Sequence, residues 1–261
     1  MSEAPGSRHP SPRSERTPNF RRGRVIALIA IVVAIAAIAL AATRSGLHYP
    51  DGGGSADPDR ARIEQIVHDY ILAHPEIIPE AVKRLHEGEA AKAVDAQRAR
   101  YETPFAGAWA GAENGDVVLV EFFDYACGFC RAARPDIARL LDEDKALKVV
   151  WRELPVLGED SVAAAHASLA AAKQGRFRAF HDRLFAAGRP DAAAIAAARQ
   201  AAGVTAAPSP EFQREIEQNY ALARAINASG TPTFVIGDRV IQGAVGYQAL
   251  KDAIAEARKR T

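Results

Sequence analysis

Residues 117–130 read VVLVEFFDYACGFC, and this stretch decides how the rest of the chain is interpreted. Its first seven residues, 117–123, form an apolar run of strand length that is rich in β-branched and aromatic side chains. After Cys130 the apolar spacing becomes helical and continues to Leu141, so the motif lies between a strand and a helix. A strand that leads directly into a helix predicts an α/β fold built around one sheet.

The chain contains two cysteines, Cys127 and Cys130, which are separated by Gly128 and Phe129. A cysteine at a helix N-terminus faces unpaired backbone N–H groups and the positive end of the helix dipole, which favours its thiolate. The spacing therefore predicts that Cys127 attacks disulfides and that Cys130 resolves the mixed disulfide. The alternatives are a structural disulfide, although this one would close a very short loop, and half of a metal site, although no further cysteine or histidine lies nearby in the sequence. We predict neither a metal nor a cofactor.

The predicted strand carries one acidic residue, Glu121. Alternation along a strand places Glu121 on the same face as Val117, Leu119 and Phe123. A carboxylate on a buried face is costly, and burial would raise its pKa towards neutrality. We predict that Glu121 accepts the proton of Cys130 during disulfide exchange. The alternative is an edge position, where Glu121 would reach solvent or pair with an arginine.

The second half of the chain predicts one α/β domain that covers residues 102–261. Thr231-Pro232 precedes its last strands, and a proline there ends the helix and can form a cis peptide bond. The predicted segments are strands at 105–109 and 147–154, an alanine-rich helical region at about 158–227, a hairpin at 233–242 and a closing helix at 247–258.

The N-terminal part of the chain predicts export. Residues 1–24 are rich in Arg, Pro and Ser and are predicted to be a disordered cytoplasmic tail. Residues 25–42 are 18 consecutive apolar residues, which span about 27 Å as a helix. Arginines cluster before this run, so everything after it is placed in the periplasm or another extracytoplasmic space. We favour a single-pass signal anchor in the inner (cell) membrane over a cleaved signal peptide, with 43–58 as a flexible linker.

Residues 59–101 predict a helical segment that precedes the α/β domain. Ile63, Ile66, Val67 and Tyr70 fall on one helical face, and the segment is too short to form a core of its own. The apolar face must therefore pack either on its own domain or on further copies of the chain. The sequence pattern leaves an N-terminal extension and a homo-oligomerisation segment as equal alternatives.

The composition excludes several classes of protein. The 261 residues carry a formal net charge of +1, which argues against a nucleic-acid partner because such proteins usually have a basic surface. Two cysteines are too few for a scaffold of several disulfides or a four-thiolate zinc site.

Residues 122–130, together with Gly230-Thr231-Pro232-Thr233-Phe234, resemble the DsbA-like thiol–disulfide oxidoreductases. The resemblance implies a thioredoxin fold with an inserted helical domain, and it matches Glu121 to the buried acid of that family. It also implies that Pro232 is cis and packs against the disulfide, while Thr231 pairs with the substrate backbone. We assign substrate binding to Thr231, Pro232, Gly128 and Phe129.

Residues 63–85, with the sequence HPEIIPEA at 74–81, resemble the N-terminal segment of ScsC-like proteins. In that subgroup the segment drives oligomerisation, and the proteins shuffle disulfides or support copper tolerance. The Gly-Phe pair between the cysteines is closer to the Gly-Tyr of disulfide isomerases than to the Pro-His of the strong oxidant DsbA. The predicted membrane anchor is a departure from the subgroup.

These observations predict an exported, membrane-tethered thiol–disulfide oxidoreductase or isomerase that acts on cysteine-containing secreted proteins. A membrane redox partner of the DsbB or DsbD kind would keep its cysteine pair oxidised or reduced. The alternatives are a DsbA-type disulfide oxidase and a non-enzymatic Cu(I)-binding protein, since two soft thiolates suit Cu(I) although Met1 is the sole methionine. A third alternative is an assembly module in which 59–101 is the functional part.

Overall fold

The structure is a computed structural model that describes residues 58–260. The chain divides into two compact units, residues 1–73 and 74–261. The predicted tail (1–24), the anchor (25–42) and, apart from Pro58, the linker (43–58) lie outside the described residues. Among the residues that are described, no helix combines the length and the apolar character that a membrane crossing requires.

The described part of the first unit is helix α1 (Pro58–Ala73). The apolar residues that predicted this helix, Ile63, Ile66, Val67 and Tyr70, all have exposed side chains. An ion pair between Arg60 and Glu64, one helical turn apart, adds modest support on the helix surface. Helix α1 therefore presents a largely apolar face.

The second unit is built on a five-stranded sheet with the strand order β1-β3-β2-β4-β5. Strand β2 lies at the centre, parallel to β3 and antiparallel to β4. The two edge strands, β1 and β5, also pair in the antiparallel direction. The strands are β1 (Trp109–Gly111), β2 (Val117–Phe123), β3 (Leu147–Glu153), β4 (Thr233–Ile236) and β5 (Arg239–Gln242).

Helices cover both faces of this sheet. A parallel pair of strands needs a crossover connection, and α4 supplies it between β2 and β3. Helices α5 to α8 all lie between β3 and β4, in the alanine-rich part of the sequence. The helices of the second unit are α2 (Ile77–Ala96), α3 (Arg98–Glu102), α4 (Gly128–Glu143), α5 (Glu159–Lys173), α6 (Phe177–Ala187), α7 (Ala192–Ala202), α8 (Pro210–Ala225) and α9 (Tyr247–Arg258). This arrangement is a thioredoxin-like α/β fold with added helices.

Strand β2 is buried on both faces, which explains why six of its seven residues are apolar and Glu121 is the exception. Leu119 and Phe123 point into the larger core, which they share with residues of α4 to α9. Val120 and Phe122 point into a smaller core on the other face, which residues from α2, α3 and α8 complete. Glu121 belongs by alternation to the face of the larger core.

The strand predicted at 105–109 is wrong in position, because β1 runs from Trp109 to Gly111. Ala106 has a φ of 45°, a left-handed backbone that does not continue a strand. The Gly107 N–H donates to the carbonyl of Ala172 at 3.1 Å, so this segment forms a turn against α5. Pairing with β3 begins only at Trp109.

Candidate active site at the N-terminus of helix α4

The two cysteines lie where strand β2 gives way to helix α4. Cys127 is the N-cap residue of α4, and Cys130 lies in its first turn. Both are free thiols; Cys127 is 6% exposed, and Cys130 is completely buried. Cys127 is therefore the more exposed of the two cysteines, and the predicted order of attack and resolution stays a prediction.

The loop before strand β4 brings the carbonyl group of Thr231 against Cys127. The Thr231–Pro232 peptide bond is cis, as the resemblance implies. The thiol of Cys127 donates a hydrogen bond to the carbonyl oxygen of Thr231 at 3.1 Å. The loop is held in place because the Gly243 N–H donates to the Pro232 carbonyl at 2.8 Å. Two segments that are far apart in sequence thus meet at one sulfur atom.

Glu121 is buried behind the cysteines, with 2% of its surface exposed. The predicted burial is confirmed, and the edge alternative is wrong because β2 is the central strand. The indole N–H of Trp151 donates to Glu121 Oε2 at 2.8 Å. Burial raises the pKa of Glu121 to about 8, although the hydrogen bond from Trp151 and the positive charge of Arg134 act in the opposite direction. A carboxyl group with this pKa can both accept and release a proton near neutral pH.

The environment of Cys130 keeps it protonated. Burial raises the pKa of the Cys130 thiol, and the negative charge of Glu121 raises it further. The thiol therefore needs a base at hand before it can act as a nucleophile. Glu121 is placed close enough to influence this titration, which fits its predicted role as the proton acceptor.

Sequence reasoning missed a second buried carboxyl group, that of Glu153 at the end of β3. Its Oε1 atom has no hydrogen-bond partner among the described residues. Burial raises the pKa of Glu153 well above its usual value, and the charges of Asp124 and Glu121 raise it further. The pairing of Phe123 with Glu153 places this acid on the same sheet face as Glu121. The sequence pattern gave no signal, because a glutamate at a strand end is commonly exposed.

A cluster of aromatic rings covers the same face. The ring of His181 lies 5.3 Å from that of Trp151 and 5.1 Å from that of Phe123, measured between centroids. The hydroxyl group of Tyr125 lies 3.2 Å from His181 Nδ1 and 2.8 Å from the hydroxyl oxygen of Ser168. Burial lowers the pKa of His181 well below its usual value, so its imidazole is neutral at physiological pH.

Of the other predicted binding residues, Phe129 has a side chain that is 70% exposed in the first turn of α4. A Cβ atom added to Gly128 would meet no other atom within 4 Å, so the surface beside it is open. Across the described residues, no group of three or more histidine, cysteine, aspartate or glutamate side chains is arranged to hold a metal ion.

Two family sequence models match the chain. The DSBA-like thioredoxin domain matches residues 118–255, which is more than half of the chain. The copper resistance protein ScsC N-terminal domain matches residues 59–92, where helix α1 and most of helix α2 lie.

Several solved structures are similar to this chain. A linker-deletion mutant of Proteus mirabilis ScsC is 27% identical with a TM-score of 0.67, and the match covers 78% of this chain and 97% of that one. A periplasmic thioredoxin-like protein of Salmonella enterica serovar Typhimurium is 30% identical with a TM-score of 0.59, over 62% of this chain and 95% of that one. A thioredoxin-like oxidoreductase of Silicibacter pomeroyi is 37% identical with a TM-score of 0.58, over 61% and 95%.

Curated relatives are longer proteins. The chain is 32% identical over 158 residues to the Na(+)/H(+) antiporter NhaA 3 of Salinispora tropica, a match that covers 56% of this chain and 24% of that protein. The chain thus spans about a quarter of the length of the curated relatives it matches. The match to the DSBA-like domain contains the cysteine pair, Glu121 and the cis proline, and the chain belongs to the DSBA-like thioredoxin domain family.

Proposed function

We propose that the chain is an exported thiol–disulfide oxidoreductase that exchanges disulfides in cysteine-containing secreted proteins. The observation that carries this proposal is the placement of the Cys127 sulfur at a helix N-terminus, 3.1 Å from the Thr231 carbonyl of the cis-proline loop. Cys130 and Glu121 are buried behind it and supply a resolving thiol and a base. Membership of the DSBA-like family supports the same activity.

The exchange begins when the thiolate of Cys127 attacks one sulfur of a substrate disulfide. That S–S bond breaks, a mixed disulfide forms with Cys127, and the other substrate sulfur leaves as a thiolate that takes a proton from water. Cys130 then loses its proton to Glu121 and attacks the sulfur of Cys127. The mixed disulfide breaks, the Cys127–Cys130 disulfide forms, and the substrate has gained two electrons that the cysteine pair has lost. Oxidation of a substrate runs through the same steps in reverse.

The direction of net exchange depends on which partner protein returns the Cys127–Cys130 pair to its reduced or oxidised state. We propose isomerisation or reduction over dedicated oxidation, with a membrane partner of the DsbD kind that keeps the pair reduced. The Gly-Phe dipeptide between the cysteines and the similarity to ScsC support this choice. The reduction potential of the Cys127–Cys130 pair tests it, since a potential near that of strong oxidants would favour a DsbA-type oxidase and a DsbB-like partner.

The activity itself is tested by insulin reduction and by reactivation of scrambled ribonuclease. The wild-type protein should be active in at least one of these assays, and Cys127→Ser should be inactive in both. A wild-type protein with intact thiols that is inactive in both assays would overturn the proposal.

We further propose that residues 25–42 tether the protein to the inner membrane as a single-pass anchor with the redox domain outside the cytoplasm. The apolar run and the preceding arginines support this orientation. Carbonate extraction of membranes that contain the full chain, followed by protease treatment of spheroplasts, tests it. An anchored protein should stay in the pellet and lose its redox domain to the protease. A soluble, shortened protein would favour a cleaved signal peptide instead.

We also propose that residues 59–101 form a self-association segment, followed by a redox domain at 102–261. The exposed apolar face of α1 and the ScsC N-terminal match at 59–92 support self-association through this segment. Native mass spectrometry of the chain with and without residues 59–73 tests it, because this deletion leaves α2 and α3 in the smaller core. Loss of oligomer mass on deletion would support the segment, and unchanged mass would make it a simple extension.

Binding of Cu(I) is a second candidate function. Two free thiols three positions apart favour a soft metal, and the N-terminal match is to a domain named for copper resistance. A Cu(I) titration against a competing chelator distinguishes the two functions. Tight stoichiometric binding without disulfide exchange would favour the metal-binding role.

A further inference from the structure

Four buried polar side chains form a hydrogen-bonded network on the sheet face that carries Glu121. The Ser168 hydroxyl group bonds the carboxyl group of Glu153 on one side and lies 2.8 Å from the Tyr125 hydroxyl oxygen on the other. The Tyr125 hydroxyl group in turn lies 3.2 Å from His181 Nδ1. All four side chains are buried, and the proposed disulfide exchange uses none of them. The network leads from strand β3, through α5 and the loop after β2, to helix α6.

Each member of this network can pass a proton to the next. A hydroxyl group both donates and accepts, so Ser168 and Tyr125 can each receive a proton while they release their own. Burial raises the pKa of Tyr125 well above its ordinary value, so this hydroxyl group stays protonated. Burial also lowers the pKa of His181, so Nδ1 of the neutral ring can accept from Tyr125. The hydrogen bonds can therefore all point from Glu153 towards His181.

The network ends at a cavity between α4, α6 and β3. His181 lines this cavity, whose volume of about 30 Å³ is enough for a water molecule. Charged side chains from both helices line it as well, namely Arg134 from α4 and Arg178 and Asp182 from α6. The side chain of Asp182 is 49% exposed, so one wall of the cavity reaches the protein surface.

Glu121 needs an exit for a proton. Because its pKa is about 8, it holds a proton at neutral pH and must release it before it can act as a base. Trp151 cannot take this proton, because an indole N–H only donates. Arg134 and Cys130 also act on Glu121 electrostatically, but the guanidinium stays charged and the thiol is the proton donor of the reaction.

Glu153 is placed to receive the proton. It lies on the neighbouring strand, two residues beyond Trp151, which is the cross-strand partner of Glu121. That step corresponds to about 8 Å between the Cα atoms, which two glutamate side chains can bridge. The charge of Glu121 reaches Glu153, since it raises the pKa of that carboxyl group. Glu153 Oε1 is a buried acceptor that has no partner among the described residues.

We infer that Glu153, Ser168, Tyr125 and His181 form a proton path between Glu121 and the cavity. This inference rests on the proposed role of Glu121 as a base and deepens it. Glu153 Oε1 accepts the proton of Glu121 while the proton that Glu153 holds passes to Ser168, and Ser168 and Tyr125 each pass on their own. His181 accepts at Nδ1 and releases the proton of its other nitrogen to water. Glu121 becomes a carboxylate, water gains one proton, and the four positioning residues keep their charges.

Time-resolved infrared spectroscopy on the full chain tests the path. A laser-triggered drop from pH 9 to pH 7 crosses the pKa of Glu121, about 8, so the carboxylate takes up a proton by the same path in reverse. The band of the protonated carboxyl group is identified by its absence in Glu121→Gln. Tyr125→Phe keeps the ring and removes the hydroxyl group, so the band should appear about a hundredfold more slowly than in the wild-type protein.

Matched variants separate the path from general effects of lost hydroxyl groups. Tyr220→Phe also removes a tyrosine hydroxyl group, but this group bonds the Pro155 carbonyl at 2.6 Å, so the rate should equal that of the wild-type protein. Ser168→Ala should be as slow as Tyr125→Phe. Ser161→Ala, on the same helix, should keep the wild-type rate, because the buried Ser161 hydroxyl group has no partner among the described residues.

Ser168→Ala keeps the test decisive if Tyr125→Phe does not fold. A wild-type rate in a folded Tyr125→Phe or Ser168→Ala protein, or equal slowing in Ser161→Ala, would overturn the inference alone. The measurement involves no disulfide exchange. A wild-type protein that is inactive towards both insulin and scrambled ribonuclease would therefore overturn the proposed function, whatever the infrared rates.

Discussion

The two sides of the cysteine pair differ in their access to solvent. On one side, Cys127 keeps 6% of its surface exposed and its sulfur contacts the cis-proline loop. On the other side, Cys130 and Glu121 are enclosed, with Trp151 bonded to the carboxyl group. In the proposed mechanism this difference separates substrate recognition from proton transfer: Cys127 meets the substrate, and the enclosed groups control the protonation of Cys130. Substitutions on the two sides should therefore impair different steps of disulfide exchange.

The largest effect is expected on the open side, from Cys127→Ser. A hydroxyl group is a far weaker nucleophile than a thiolate, so the rate of insulin reduction should fall at least about a thousandfold. The rate should be measured beside that of Cys130→Ser, which keeps the attacking sulfur. Substantial activity in Cys127→Ser would assign the attack to the buried thiol and remove the difference between the two sides.

On the closed side, Cys130→Ser should stop the cycle after the first step. The Cys127 thiolate still attacks, but no second thiol releases the substrate, so mixed disulfides accumulate. They should be visible as bands of higher mass on non-reducing gels that disappear on reduction. If no adducts form while Cys127 remains reactive towards a small disulfide, Cys130 does not resolve them.

Glu121→Gln should slow resolution about a hundredfold at neutral pH, because it removes the base that takes the Cys130 proton. In the wild-type protein the resolution rate should rise as the pH passes through about 8, where Glu121 loses its own proton. The variant should lack this rise. Stopped-flow measurement of mixed-disulfide decay between pH 6 and pH 9 checks both statements, and an identical profile for the two proteins would exclude the role as base.

The same substitution should alter how stability depends on pH. The folded pKa of Glu121, about 8, is above the ordinary value of 4.5, so the folded state holds a proton that the unfolded state releases between these values. The wild-type protein should therefore lose stability as the pH rises through this window, and the reduced Glu121→Gln protein should lose less. Urea unfolding at pH 5 and pH 8.5 measures the difference, and parallel losses would contradict it.

The smallest effect is expected from Trp151→Phe, which keeps the ring contacts and removes the indole N–H. That hydrogen bond lowers the pKa of Glu121, so its loss should move the pH midpoint of resolution upward by about one unit. Trp151→Phe should shift the pH dependence of the resolution rate, whereas Glu121→Gln should abolish it. A midpoint that moves downward would show that the indole does not stabilise the carboxylate.

The sequence predicted those parts of the site that depend on local pattern. Alternation placed Glu121 on a buried face, and the strand–helix junction placed Cys127 at a helix N-terminus. The hydrogen bond between Trp151 and Glu121 could not be predicted. It depends on the register between β2 and β3, which no local sequence pattern fixes. The hydrogen bonds that Asp124 Oδ2 accepts from the N–H groups of Val156 and Leu157 were missed for the same reason, since they join residues 32 and 33 positions apart.

The four helices between β3 and β4 also set the order in which the site is assembled during synthesis. Thr231 follows Cys127 by 104 residues, an interval of about 5–20 s at ordinary rates of translation. During that interval a nascent chain presents the cysteine pair without strand β4 beside β2 or the Thr231 carbonyl beside the sulfur. Until Thr231 is made, the Cys127 thiol lacks the carbonyl group to which it donates its hydrogen bond in the folded protein. The cysteine pair is therefore synthesised well before the cis-proline loop that completes the site.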